Sequence, residues 1–280
     1  MGIGHGPEPS VSPMPAPPDT AALRTLGEDA ARAAGDLLRR GAGNVRAEVS
    51  TKSTGTDMVT EMDRASEVLI TEALLGARPD DGILGEEGAH QAGTSGVRWV
   101  VDPLDGTTNY LYGFPGFNVS IAAEIDGEAA VGVVYDVVRD ELFSAVRGGG
   151  ATRNGELIRA SEQTELAHAL VGTGFSYEPE RRRRQAQALV QVLPRVRDIR
   201  RQGAAAVDLC SVACGRLDAY YERGLAPWDL AAGGLIAAEA GATVTDFAGN
   251  PATAGAVVAA AAGIAPALLG LLATTQVASA

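Results

Sequence analysis

Along the chain, apolar and polar positions change period several times. Residues 20 to 41 carry apolar residues at helical spacing, with Asp19 or Thr20 placed to cap the start and Gly41 the end. A second helical stretch, "VTEMDRASEVLITEALLGARP", is stopped by Pro79, so two helices are expected before the first strand. "GILGEE" and "RWVVD" then read as short buried strands. From Phe117 to Arg153 the period becomes two, broken at Asp126-Gly127 and Arg139-Asp140, which predicts an antiparallel meander. After Ser161, strand and helix patterns alternate: "ALVGTGF", an Arg-rich helix over 179–193, "VRDIRR", "AAAVDLCSVACG", "DAYYE", "PWDLAAGGLIAAEAG" and "ATVTDF". The last apolar run, "GAVVAAAAGIAPALLGLLA", reads as a short buried strand followed by a helix. The fold class is therefore α/β (α+β), with a mainly antiparallel first half and a more layered second half.

With 280 residues, 46% of them hydrophobic, the chain can bury a sizeable core. Its formal net charge of −12 argues against nucleic acid and against an anionic membrane as partners, which need a basic footprint. A small-molecule substrate is expected instead. The two cysteines, Cys210 and Cys214, share one face of an expected buried helix; this excludes a disulfide framework and fits a reducing cytoplasm. The first eighteen residues hold six of the fourteen prolines, lack the features of a signal peptide, and read as a disordered tail. No run has the length and continuity of a membrane span.

The chemistry lies in "VVDPLDGTTNY". With Asp102 ending a strand and Pro103 blocking a regular continuation, the chain is expected to turn so that Asp105 points back into the same space. Two carboxylates there repel unless a cation lies between them. Further acids stand in similar positions: Glu86 and Glu87 after "ILG", Asp63 in "DMVTEMD" and Asp229 in "PWDLAAG". No histidine or cysteine accompanies them, and all-oxygen ligation suits a hard cation, Mg2+ in particular where phosphate supplies further ligands. Gly106 lets the backbone approach closely, and Thr107 and Thr108 open a short helix whose N–H groups favour a phosphate. A two-metal phosphate hydrolase needs this combination.

"KSTGTDMVTEMD", "GEEG", "WVVDPLDGTTNY" and "PWDLAAGGLIAAEAG", in this order, resemble the inositol monophosphatase family of magnesium-dependent, lithium-sensitive phosphatases. The resemblance covers residues 20 to 260. It implies an αβαβα layered sugar-phosphatase fold in one domain, residues 19–280, with halves at 19–160 and 161–280, usually a homodimer in the cytoplasm. It implies two to three Mg2+ ions held by Glu86, Asp102, the Leu104 carbonyl, Asp105 and Asp229. The backbone at Gly106 and Thr107 would hold the phosphate, Asp63 and Thr107 would orient the attacking water, and Lys52 would lie near an outer metal. Gly203, Ala204, Ala205, Glu222 and Ser176 would line the alcohol side of a small phosphate ester.

Ala226 and Pro227 depart from the animal enzymes, in which larger or polar residues often stand there. The departure leaves phosphate chemistry untouched and bears on the alcohol. A small polyol phosphate such as inositol 1-phosphate is expected, with histidinol phosphate and fructose 1,6-bisphosphate as competitors. A phosphatase using an aspartyl-phosphate fails on spacing, since its nucleophile would fall at Pro103. A non-enzymatic regulatory role, known for some bacterial relatives, is a third reading. The run Arg181 to Arg184 reads as a solvated helix face beside Glu178 and Glu180, and His90 and His168 as surface residues.

Overall fold

The computed structural model describes residues 18–42, 49–51 and 58–275, with the strand segments at 49–51 and 58–60 as backbone alone. Helix α1 spans Thr20–Gly41. Asp19 is its cap: its Oδ1 accepts from the Ala21 and Ala22 amides at 3.0 and 3.2 Å, satisfying two donors left open at a helix start. A hairpin of β1 (Val49–Thr51) and β2 (Met58–Thr60) comes next, before α2 (Glu61–Ala77). The expectation of two helices ahead of any strand is thus corrected, and Val59 and Thr60 belong to β2, not to the helix. Strands of three residues are too short to display alternation.

The next elements are β3 (Gly82–Gly85), β4 (His90–Gln91), β5 (Val97–Asp105), α3 (Thr107–Tyr112), β6 (Asn118–Ile125), β7 (Glu128–Asp136), β8 (Glu141–Val146), β9 (Ala151–Arg153) and β10 (Glu156–Leu157). Their strands form an eight-stranded sheet in the order β10-β9-β8-β7-β6-β5-β3-β4, antiparallel except between β3 and β5. The β6–β7 turn at Asp126-Gly127 takes positive φ at both residues, 55° and 81°, the conformation that suits a tight hairpin.

The second half comprises β11 (Leu170–Thr173), α4 (Pro179–Val192), β12 (Asp198–Arg200), α5 (Ala205–Ala213), β13 (Ala219–Arg223), α6 (Pro227–Glu239), β14 (Thr243–Thr245), β15 (Ala256–Ala260) and α7 (Ala265–Ala273). Its strands form a five-stranded mixed sheet ordered β12-β11-β13-β15-β14.

Both faces of the larger sheet are apolar, and alternation along its strands decides which helices each face meets. Val101, Ile121 and Val133 point to α1 and α2, whereas Val100, Ala122 and Val134 point to α5 and α6. Helices α5 and α6 also pack against Tyr220, Val257 and Ala259 of the smaller sheet, whose other face carries α4 and α7. The layers run α, β, α, β, α. Cys210 is buried in the α5 interior with a free thiol. Arg181 and Arg183 on α4 are exposed and face Glu178 and Glu180 at 3.6 and 2.8 Å. No helix among the described residues is long and apolar enough to cross a membrane.

Candidate active site

Strand β5 supplies the first two carboxylates through an irregularity. Residues three apart in a regular strand point to opposite faces. Here Asp102 pairs with Ser120 and Asp105 with Asn118, so three steps along β5 match two along β6. This bulge turns both aspartates the same way. The strand does not end at Asp102, as expected from Pro103, but runs on to Asp105; a bulge tolerates a residue without an amide hydrogen. Gly106 follows with φ 91°, and a Cβ there would lie 2.7 Å from the Gly116 carbonyl, so only glycine fits between β5 and α3.

Asp229 arrives from the first turn of α6, where its Oδ2 accepts from the Ala226 amide at 2.7 Å. Asp102, Asp105 and Asp229 each offer a carboxylate oxygen, all within 4.8 Å of one another. Two of these side chains are nearly inaccessible, Asp102 at 2% exposure and Asp105 at 8%. Asp105 Oδ2 accepts from Asn118 Nδ2 and the Ala206 amide, both at 2.9 Å, and Asp102 Oδ1 from the Leu104 amide at 3.1 Å. These bonds fix the oxygens but do not neutralise them. Burial, then repulsion from Asp105, pushes Asp229 up to about 8. Burial also pushes Asp105 up to about 6, and Asp102 is raised well above the carboxylate range by burial and by Glu86. A donor set of clustered, buried carboxylate oxygens fits a hard divalent cation, which removes the repulsion.

Helix α2 organises the rest through side chains at one helical face. Asp63, fully buried in its first turn, faces Thr107, whose hydroxyl lies 3.2 Å from Asp63 Oδ2 and 3.1 Å from the Leu104 carbonyl. With one proton, that hydroxyl donates to one of the two at a time. Ser66 donates to the Pro103 carbonyl at 2.9 Å. Glu67 accepts from the Glu87 and Ala89 amides, each at 2.8 Å, and so ties down the loop bearing Glu86, whose own amide donates to Val101. Below these, Ile70 and Leu74 are fully buried, each contributing about 1.5–3 kcal/mol that holds α2 against the sheet.

Beyond the carboxylates opens a cavity of about 290 Å³. It brings together Asp105, Asp229 and all five residues expected on the alcohol side: Ser176, Gly203, Ala204, Ala205 and Glu222. Glu222 takes a hydrogen bond from the Tyr220 hydroxyl and is pushed up to about 7 by burial. A larger apolar cavity of about 570 Å³ along α6 holds none of the expected site residues. Lys52 lies outside the described residues, as does the tail to residue 17. The sequence reading missed Ser66, Glu67, Asn118 and Arg201. Ser66 and Glu67 carried a usable signal, since they follow Asp63 by three and four residues and so share its helix face; Asn118 and Arg201 carried none.

Residues 19–279 match the inositol monophosphatase family. An inositol-1-monophosphatase of Mycobacterium leprae is 50% identical over 248 residues, covering 85% of this chain and 84% of its own. A protein named Nus factor SuhB, from Pasteurella multocida, is 44% identical over 236 residues, 83% of this chain and 88% of its own. The crystal structure of the extragenic suppressor protein SuhB from Bartonella henselae has a TM-score of 0.86 at 39% identity, covering 90% of this chain and 99% of that one. Likeness in sequence and fold over most of the chain agrees with the carboxylate cluster built at the β5 bulge: the chain belongs to the inositol monophosphatase family and is a phosphatase acting on phosphoric monoesters.

Proposed function

We propose that this phosphatase is a Mg2+-dependent enzyme hydrolysing a small polyol phosphate, inositol 1-phosphate first, to alcohol and phosphate. The observation that carries this reading is the convergence of Asp102, Asp105 and Asp229 within 4.8 Å beside the Asp63–Thr107 pair. Asp102, Asp105, Asp229, Glu86 and the Leu104 carbonyl would hold two to three ions, with Lys52 near the outermost. When bound, such cations lower the pKa of water and stabilise charge on a phosphoryl group.

The chain's own groups do the rest. Asp63 accepts the proton of the attacking water, directly or through the Thr107 hydroxyl. The backbone amides at Gly106 and Thr107 would hold the phosphate oxygens. The new P–O bond forms from water as the ester P–O bond breaks, the leaving oxygen takes a proton from solvent water, and the alcohol departs into the cavity lined by Glu222 and Ser176. Water itself attacks phosphorus, so no phosphorylated enzyme forms. The reading extends to one catalytic unit from residue 19 onward, acting as a cytoplasmic homodimer. The name of the Pasteurella relative favours a second reading, a role in transcription alongside catalysis, which a pull-down set against phosphate release by the same preparation would separate.

The test is phosphate release in Mg2+ from inositol 1-phosphate, histidinol phosphate, fructose 1,6-bisphosphate, glycerol 2-phosphate and adenosine 3′,5′-bisphosphate. Inositol 1-phosphate is expected to give the highest kcat/KM; release from none of them would end the phosphatase reading, and a different best substrate the polyol assignment.

A further prediction arises from Glu67. Because it fixes the Glu86 loop without touching substrate, Glu67→Ala should raise the Mg2+ concentration for half-maximal activity by about 10-fold or more, the scale of lost partners to metal-binding groups. A Mg2+ titration with saturating substrate checks this; an unchanged midpoint with reduced kcat would assign Glu67 another role.

A further inference from the structure

The alcohol end of the cavity carries a cation that the reaction above leaves unused. Arg201 lines it with Glu222, Ser176 and Gly203. Its guanidinium lies over Gly203, where a Cβ would come within 2.1 Å of Nη1. Arg201 also borders a second cavity of about 340 Å³ with Arg139, Arg200 and Arg216. Those three are neutralised: Arg139 by Asp136 at 2.6 Å, Arg200 by Asp198 at 2.5 Å, and Arg216 by both oxygens of Glu141 at 2.5 Å. Arg201 is different. Among the described residues its guanidinium makes no hydrogen bond and no ion pair within 4.0 Å, and it acts on Glu222 and Asp208 only through space. Glu222, in contrast, is held in place by the Tyr220 hydroxyl.

The cavity therefore offers a leaving alcohol two unlike contacts. A carboxylate suits hydroxyl donors, and a guanidinium with its fork of N–H groups suits a planar or tetrahedral anion. A neutral polyol uses the first contact and leaves the second unfilled.

We propose that Arg201 is a specificity-determining residue: between phosphate esters of matched skeleton it favours the one whose alcohol carries a second anionic group, phosphate or carboxylate, seated on its guanidinium while neighbouring hydroxyls face Glu222. The proposal rests on the phosphatase reading and deepens it.

The experiment compares kcat/KM for two matched pairs with the full chain in Mg2+. Fructose 1-phosphate is set against fructose 1,6-bisphosphate, and glucose 6-phosphate against 6-phosphogluconate, for wild type, Arg201→Gln and Arg201→Lys. Wild type is expected to favour the more anionic member of at least one pair by about 10- to 100-fold, the scale of one hydrogen bond to a charged group. The pair that responds distinguishes phosphate from carboxylate. Arg201→Gln should abolish the preference, chiefly through KM, and Arg201→Lys should retain part of it. No preference in wild type, a preference that survives Arg201→Gln, or an equal loss on both members of each pair would overturn the proposal. Absence of release from all four and from glycerol 2-phosphate would overturn the phosphatase reading, and this proposal with it.

Discussion

Asp63→Asn is expected to lower kcat by about 10²-fold or more, the scale of a lost general base, while the protein stays folded. Asp63 sits fully buried in the first turn of α2, where a negative charge is favoured by the helix dipole, and its Oδ2 is within reach of the Thr107 hydroxyl. An amide at this position keeps the shape and the hydrogen bond but cannot accept a proton. Thr107→Ala should cost a similar factor, since it removes the group between Asp63 and the Leu104 carbonyl. Because the two residues act as one unit, the double variant should be little slower than either single one. Single-turnover kinetics together with thermal midpoints check this. Near-wild-type rates in both variants, or a phosphorylated enzyme trapped during turnover, would sink the mechanism.

Chelation should abolish activity, and readdition of Mg2+ should restore it, whereas Ca2+, which is larger and tolerates looser geometry, should inhibit. Stability should follow a defined pH course at the same time. Asp229 and Asp105 are raised to about 8 and about 6, and Asp102 is raised too, mainly by burial, whereas aspartate in an unfolded chain ionises near 3.9. Between those values the folded chelated protein retains protons that the unfolded chain has lost. Its stability therefore falls as pH rises from about 4 towards 8. Glu141, held low by Arg216, has completed its opposite contribution below this range. Metal binding must displace the retained protons, so the stabilisation added by Mg2+ should grow from pH 5 to 8. Thermal scans with chelator and with Mg2+ at each pH measure both. A chelated midpoint that climbs through this interval would contradict the buried carboxylate cluster as its governing feature.

The motifs were legible because their chemistry is local. Asp102, Asp105, Gly106 and Thr107 lie within six consecutive residues, and no long-range contact is needed to see that two acids followed by a glycine and a helix start suit a cation and a phosphate. Helix α1 was legible for a similar reason, with its cap and apolar stripe written at helical spacing. The β1–β2 hairpin was not, since each strand spans three residues, fewer than period-two alternation needs to declare itself.

Sequence by itself determined the kinds of ligand atom, their order and the alternation that lets one sheet serve two helical layers. Tertiary structure alone decided their geometry. The bulge that turns Asp102 and Asp105 together exists only because β6 pairs out of step with β5. Asp105 is held by an amide 101 residues away, and the Glu86 loop by a side chain on α2. Arg201 differs from the arginines around it solely in which carboxylates lie within reach. The physical reason is the same throughout. Residue type and local spacing set what a group can bind, while burial, charge pairing and hydrogen-bond partners depend on segments that only folding brings together.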